Sequence, residues 1–230
     1  MNNLKNAPVV FVDADDTLWE NEQYFRNAED EFARILAPYA NVDGVREMLW
    51  RKQEENIPYF GYGSKTYFIA MADAATGLCG GNLPYDVFQS VRHLIIDLAF
   101  HPFEIIDGVE ETLKSLSSRH KLVIATKGET MEQLHKIKTS GLEKYFFSSE
   151  VMVTKSEEDY ADMARKYGVK PCDIIMIGNS SRSDILPVVN LGGVGIMVPH
   201  EIVWSHEIVE LPETDRIIRV GSFKEISAIL

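Results

Sequence analysis

The sequence predicts an α/β fold in which a doubly wound parallel sheet carries an inserted helical domain. Six short apolar segments recur along the chain, and each one ends at a polar residue or a turn signal. Their apolarity is continuous rather than alternating, which is typical of strands buried on both faces of a parallel sheet. Helical patterns between the segments complete repeated βα units. We therefore expect a Rossmann-like, doubly wound core.

The boundaries of the core elements follow from the same pattern. The expected strands are residues 9–12, 122–125, 151–153, 174–177, 194–198 and 217–220. Two helices are expected to begin with a capping box, in which a hydroxyl residue is followed three positions later by an acidic or amide residue. These boxes are Thr130 with Gln133 and Ser156 with Asp159.

Residues 20–101 break the βα alternation, because this stretch contains no convincing strand. It shows amphipathic helical patterns at residues 24–36, 45–52, 67–75 and 85–98. A helical block inserted after the first strand is expected to fold as a second, smaller domain. We predict that residues 1–19 and 102–230 form the α/β core and that residues 20–101 form the helical domain.

The composition of the chain is that of a globular protein and disfavours several classes of partner. The chain has 230 residues, 45% of them hydrophobic, and a formal net charge of −12. This acidic balance argues against binding to nucleic acid or an anionic membrane, which need clustered Lys and Arg. No uncharged stretch is long enough to span a bilayer, and the N-terminus has no signal-peptide form. With two cysteines far apart in sequence, we expect a cytoplasmic monomer or homodimer with reduced thiols.

Residues that can carry chemistry gather at the carboxyl ends of the expected strands, where ligands bind in open α/β sheets. Two carboxylates at alternate positions of an extended chain, such as Asp13 and Asp15, face the same way. Because like charges held close cannot both ionise easily, we expect one of the two to stay protonated longer and to act as a general acid. The polar residues at these strand ends are Asp13, Asp15, Thr126, Lys155, Asn179 and Asp184.

Four motifs, in this order, resemble those of the haloacid dehalogenase (HAD) superfamily. The first is an apolar strand ending in D-x-D-x-[TV], matched by residues 13–17, and the second is a strand ending in Ser or Thr, matched by Thr126. The third is a Lys near the start of a helix, matched by Lys155. The fourth is a strand ending in Gly-Asp with a second Asp a few residues on, matched imperfectly by residues 178–184. The helical insertion after the first motif resembles the C1-type cap of this superfamily.

The resemblance implies a magnesium-dependent phosphatase that hydrolyses a small phosphorylated metabolite. It makes Asp13 the nucleophile, which forms an aspartyl-phosphate. It makes Asp15 the group that protonates the leaving oxygen and then takes a proton from the hydrolytic water. It assigns Thr126 a hydrogen bond to a phosphoryl oxygen, and it assigns Lys155 the neutralisation of phosphate charge and the restraint of Asp13.

The same resemblance implies that magnesium is held by Asp13, by the backbone carbonyl of Asp15 and by the fourth motif. This motif departs from the family pattern, because Asn179 stands where the family usually has Asp. The amide oxygen of Asn179 can ligate a hard cation but brings no charge, and Asp184 can supply charge directly or through water. We therefore expect weaker magnesium binding than in a typical family member.

Other functions stay open at this point. The departure at Asn179 leaves room for a weakly active or inactive HAD-like binding protein. A metal-independent haloacid dehalogenase would also use an aspartate nucleophile, although those enzymes lack a carboxylate at the position of Asp15. Phosphonate cleavage would need a cap lysine, for which Lys65 is the candidate, and a phosphomutase would share the core residues.

Substrate selectivity is expected to come from the inserted helical domain. Residues 57–65 form an aromatic segment punctuated by glycines, which allow a tight turn. We predict that Tyr62 and Lys65 in this segment contact the substrate, with a simple connection between helices as the alternative. Lys127 is expected to be exposed, although it could also meet the substrate.

Overall fold

The chain forms two compact units. The computed structural model describes Leu4, Ala7 and residues 9–230. The α/β unit comprises the described residues up to Glu22, Phe103–Lys127 and Gln133–Leu230, and the helical unit comprises Gln23–Pro102 and Gly128–Glu132. The two main seams lie within a few residues of those predicted. The short segment Gly128–Glu132 was not expected in the helical unit. Its carboxylates explain the placement, because Glu129 and Glu132 bond to residues at the start of a helix of that unit.

A six-stranded parallel sheet is the basis of the α/β unit. The strands are β1 (Val9–Val12), β2 (Lys121–Lys127), β3 (Ser148–Met152), β4 (Ile175–Gly178), β5 (Val194–Met197) and β6 (Ile217–Arg219). Their spatial order is β3-β2-β1-β4-β5-β6, so the chain runs from β1 to one edge and later to the other. This is a doubly wound sheet, and the predicted fold class is confirmed. The third strand begins earlier than predicted, and Val153 is exposed beyond its end.

The stretch Gln23–Pro102 contains helices and no strand. The four helices are α1 (Glu22–Ile35), α2 (Val42–Phe60), α3 (Ser64–Leu78) and α4 (Tyr85–Ala99). Each one contains a helical pattern predicted from the sequence. The second helix begins after Asn41, whose side chain accepts a hydrogen bond from the N–H of Gly44 (2.8 Å) and so caps the helix.

The remaining helices surround the sheet in sequence. They are α5 (Val109–Ser117), α6 (Thr130–Thr139), α7 (Glu157–Tyr167), α8 (Leu186–Asn190) and α9 (Ile226–Ile229). The capping box predicted for α7 is confirmed, because the side chains of Ser156 and Asp159 each accept the backbone N–H of the other. The box predicted at Thr130 is wrong. That residue lies inside α6, and the carboxylate of Glu129 accepts the N–H of Glu132 (3.1 Å) instead.

Both faces of the sheet are buried, which explains the continuous apolarity of its strands. In β1, Val10 and Val12 pack into one hydrophobic cluster and Phe11 packs into another. In β4, Ile177 and Met176 divide between the same two clusters. Because successive side chains of a strand point to opposite faces, each central strand contributes to two core layers. A separate cluster forms the core of the helical unit. No helix in the described ranges has the length and apolar character needed to cross a bilayer.

Candidate active site

Asp13 lies at the end of β1, where the chain still follows the sheet. Its N–H donates to the carbonyl of Ile177 (2.8 Å), so the adjacent strand β4 fixes its backbone. Its side chain is buried. One carboxylate oxygen accepts from the Lys155 ammonium (2.5 Å) and the other from the Thr17 hydroxyl (3.0 Å). The first and third motifs therefore meet at one carboxylate, as the sequence predicts.

Lys155 bridges this carboxylate to a second one. Its ammonium also donates to Asp184 (2.7 Å), whose other oxygen accepts the N–H of Ser180 (2.9 Å). Asp184 lies in a π-helical turn, Ser181–Ile185, that directly precedes α8. A Cβ atom at Gly178 would lie 2.3 Å from a carboxylate oxygen of Asp184, so only glycine allows this close approach.

The buried cluster of Asp13, Lys155 and Asp184 holds one cation between two carboxylates. Burial, followed by repulsion from Asp184, raises the pKa of Asp13 to about 7 against the attraction of Lys155. Burial likewise raises the pKa of Asp184. Burial alone would lower the pKa of Lys155, but the two carboxylates raise it well above its usual range. The cluster therefore has an excess of negative charge, which favours the arrival of a further cation.

Asp15 has a different environment from Asp13. Its carboxylate accepts hydrogen bonds from Trp19 Nε1 (2.7 Å), Gln133 Nε2 (2.8 Å) and the Lys136 ammonium (3.1 Å). Burial alone would raise the pKa of Asp15, but Lys136 and the hydrogen bonds from Gln133 and Trp19 lower it. Repulsion between the two carboxylates was expected to keep one of them protonated as a general acid. In the structure the carboxyl with the raised pKa is Asp13, chiefly because of burial, and Asp15 is ionised.

Asn179 follows β4 and shares a hydroxyl donor with Asp13. Its Oδ1 lies 3.4 Å from Thr17 Oγ1, the group that also donates to Asp13. The Asp13 carboxylate, the Asp15 carbonyl and the Asn179 amide are all hard oxygen donors, so the residues present fit a magnesium ion. Both oxygens of Asp184 already accept hydrogen bonds. A contact between Asp184 and a cation therefore stays a prediction.

A second group of possible metal ligands lies near the end of the first motif. Single ligand atoms of Asp16, Glu20 and His200 lie within 4.8 Å of one another. All three have protein partners. The Asp16 carboxylate accepts the N–H groups of Asn21 (2.8 Å) and Glu22 (3.0 Å), and His200 Nε2 lies 2.9 Å from Glu20. These contacts tie the chain that leaves β1 to the segment after β5.

Thr126 and Lys127 end the second strand. Thr126 is buried, two positions beyond Ile124, which pairs with Val12 at the end of β1. The expectation that Lys127 is exposed is wrong. Its ammonium contacts Glu207 (2.6 Å) and the Ser183 hydroxyl (3.1 Å), and its side chain is only 14% exposed.

Tyr62 and Lys65 belong to the helical unit. Lys65 lies at the start of α3 and forms an ion pair with Glu129 (2.9 Å), with its side chain largely exposed. Tyr62 is half-buried in the turn between α2 and α3. The adjacent Gly63 has φ of +123°, a value that favours glycine, so the expected tight turn is present. Contact of either side chain with substrate stays a prediction.

Three polar residues close to the site were not identified from the sequence. Gln133 and Lys136 reach Asp15 from α6, and Glu207 reaches Lys127 from the segment after β5. The spacing of Gln133 and Lys136 was a usable signal, because residues three apart share a helix face. This helix follows the second motif directly. Nothing in the local sequence around Glu207 indicates its partner.

The matches to known proteins agree with this geometry. The chain belongs to the haloacid dehalogenase-like hydrolase family, whose model matches residues 7–192. A haloacid dehalogenase-like family hydrolase from Xanthomonas campestris is similar over 97% of this chain and 90% of that one, at 30% identity and a TM-score of 0.88. The glyceraldehyde 3-phosphate phosphatase of Methanothermobacter thermautotrophicus is 25% identical over 206 residues, which are 84% of this chain and 86% of that protein.

A third relative shares the fold alone. A 2-haloacid dehalogenase from Pseudomonas syringae pv. Tomato has a TM-score of 0.63 at 18% identity, with 96% of both chains covered. The predicted membership of the HAD superfamily is therefore confirmed, and the protein is a HAD-like hydrolase. Because hydrolases of different chemistry share this fold, the reaction has to be argued from the site.

Proposed function

We propose that the protein is a magnesium-dependent phosphatase that hydrolyses a small phosphorylated metabolite through a phosphorylated Asp13. The observation that carries the proposal is the buried contact of 2.5 Å between the Lys155 ammonium and the Asp13 carboxylate at the end of β1. Family membership supports a hydrolase, and the related phosphatase from M. thermautotrophicus supports a phosphoric monoester as substrate. The carboxylate of Asp15 favours phosphoryl transfer over dehalogenation, because it can exchange a proton with an oxygen leaving group.

The reaction has two steps. In the first, an oxygen of Asp13 attacks phosphorus, the bond from phosphorus to the leaving oxygen breaks, and Asp15 gives that oxygen a proton. In the second, water attacks the phosphorus of the aspartyl-phosphate, Asp15 takes a proton from the water, and Asp13 and inorganic phosphate are released. The ionised Asp15 suits the second step, and it must gain a proton before the first.

The surrounding residues orient and neutralise the reacting groups. Lys155 directs Asp13 and offsets the charge of the phosphoryl group, while Asp184 and the N–H of Ser180 hold the lysine in place. Thr126, at the end of β2, donates its hydroxyl to a phosphoryl oxygen. These donors are fixed by strands and by a buried ion pair, so little reorganisation is needed during the reaction.

Magnesium is the cofactor that suits these residues. Asp13, the carbonyl of Asp15 and the amide oxygen of Asn179 would hold it, with water completing its shell. When bound, the ion supplies positive charge that polarises the phosphoryl group. The raised pKa of Asp13 supports this assignment, because a buried carboxylate beside a second one favours a cation over a proton.

Hydrolysis of p-nitrophenyl phosphate tests the proposal. We expect turnover with magnesium, loss of turnover with a chelator, and a loss of at least about 10³-fold in Asp13→Asn. The control is Asp162→Asn, which makes the same change at an exposed position of α7. Acid-quenched turnover followed by mass spectrometry should find the phosphoryl group on the peptide that contains Asp13.

Other outcomes identify the alternatives. Turnover that persists in Asp13→Asn would contradict the proposed nucleophile. Tight binding of phosphorylated metabolites without turnover would indicate a binding protein, and halide release from a 2-haloacid without metal would indicate a dehalogenase. A panel of phosphorylated metabolites, including glyceraldehyde 3-phosphate because of the related phosphatase, would then define the substrate.

A further inference from the structure

We infer that Lys136 and Gln133 on α6 are positioning residues that fix the Asp15 carboxylate for proton transfer. The inference rests on the proposed phosphatase function. Neither residue belongs to the four sequence motifs, and both act through Asp15 rather than on the substrate.

Lys136 contacts both oxygens of Asp15. The distances from its ammonium are 3.1 Å and 3.2 Å, and the same ammonium donates to Asn21 Oδ1 (2.7 Å). The lysine side chain is only 4% exposed. A lysine is seldom buried to this extent without a specific partner, because its charge is costly to remove from water. The fold therefore places this ammonium at Asp15 rather than in solvent.

Gln133 contacts the same carboxylate from one helical turn earlier. Its Nε2 donates to Asp15 Oδ2 (2.8 Å) and to the carbonyl of Lys127 (3.1 Å). Both partners are acceptors, so the amide orientation is fixed. Its Oε1 is buried and has no hydrogen-bond donor among the residues that the structure describes. The amide thus leaves its own oxygen unsatisfied while it donates to Asp15, a local compromise that is expected at functional sites.

The donors together restrict rotation of the Asp15 carboxylate. Trp19 Nε1 and Lys136 reach Oδ1, and Gln133 and Lys136 reach Oδ2. Trp19 is itself fully buried, so this indole cannot follow the carboxylate if it turns. A proton-transfer group held in one orientation reacts faster than one that must first be ordered. Loss of Lys136 is therefore expected to slow the steps that depend on Asp15.

Two aryl phosphates separate this effect from general damage. Phenyl phosphate has a basic leaving oxygen that needs a proton, whereas the p-nitrophenolate of p-nitrophenyl phosphate leaves without one. In Lys136→Met we expect kcat/KM for phenyl phosphate to fall about 10-fold or more and that for p-nitrophenyl phosphate to fall less than about 3-fold. The ratio of the two values does not depend on the fraction of folded enzyme. Lys138→Met, an exposed lysine on the same helix, is the control and should leave the ratio unchanged.

Further variants test whether Lys136 acts through Asp15. Asp15→Asn should change the ratio at least as strongly, and adding Lys136→Met to it should cause no further change. Lys136→Arg, which keeps the charge, and Gln133→Leu, which removes the amide, should give intermediate ratios. An unchanged ratio in Lys136→Met beside a changed one in Asp15→Asn would overturn the inference alone. An unchanged ratio in Asp15→Asn, or no hydrolysis of either phosphate by the unaltered enzyme, would overturn the proposed function and the inference with it.

Discussion

Glu207 forms a buried clamp between the second and fourth motifs, and its removal should destabilise the α/β unit. Its carboxylate accepts from the Lys127 ammonium (2.6 Å) and from the hydroxyls of Ser180 and Ser183 (2.5 Å each). Both charged side chains are 14% exposed. The clamp therefore joins the end of β2 to the turn that carries Asp184.

The pKa of Glu207 gives the magnitude. Burial alone would raise it, but Lys127 and the serine hydroxyls lower it from 4.5 to about 2. Each tenfold change in the acidity constant corresponds to about 1.4 kcal/mol, so the ionised carboxylate contributes roughly 3 kcal/mol to the free energy of unfolding at neutral pH. The pKa is lowered on folding, so this contribution is present above pH 4.5 and is lost as the pH falls from 4.5 towards 2.

Urea unfolding of Glu207→Gln tests the reasoning. At pH 7 we expect a loss of about 2–3 kcal/mol, because the amide keeps part of the hydrogen bonding but leaves Lys127 buried and unpaired. The double variant Lys127→Met/Glu207→Gln should recover part of this loss. Glu213→Gln, an exposed residue of the same segment, is the control. The loss should shrink as the pH falls below 4.5. A loss below about 0.5 kcal/mol at pH 7, or one that is independent of pH, would refute the clamp.

Three further predictions concern the metal, the turn of the helical unit and selectivity. Asn179→Asp adds a charge to the donor set and should tighten magnesium binding about 10-fold; a magnesium titration of activity with no gain would contradict it. Gly63→Ala imposes an unfavourable φ and places a Cβ 2.8 Å from that of Glu129, so it should cost roughly 2–4 kcal/mol in thermal unfolding. Gly80→Ala, at φ +70° with open space, should cost about 1 kcal/mol. Tyr62→Ala and Lys65→Ala should alter the ranking of substrates in a phosphate panel, and an unchanged ranking would exclude their selectivity role.

The sequence by itself determined the architecture and the centre of the site. Continuous apolarity in six segments required strands buried on both faces, and this produced the parallel sheet. The carboxyl ends of parallel strands meet at one edge of a sheet. The polar residues after β1 and β3 could therefore be placed together, and Lys155 does contact Asp13. The capping box at Ser156 was also predictable, since it involves residues only three positions apart.

Only the tertiary structure decided the charge state and the supporting contacts of the site. Gln133 and Lys136 lie 118 and 121 positions from Asp15, and Glu207 lies 80 positions from Lys127. Periodicity and local motifs specify which face of a segment is buried, but not which distant side chain that face meets. Burial and those distant partners set the pKa values of Asp13 and Asp15, so the assignment of proton between the two carboxyl groups depended on packing that no local pattern encodes.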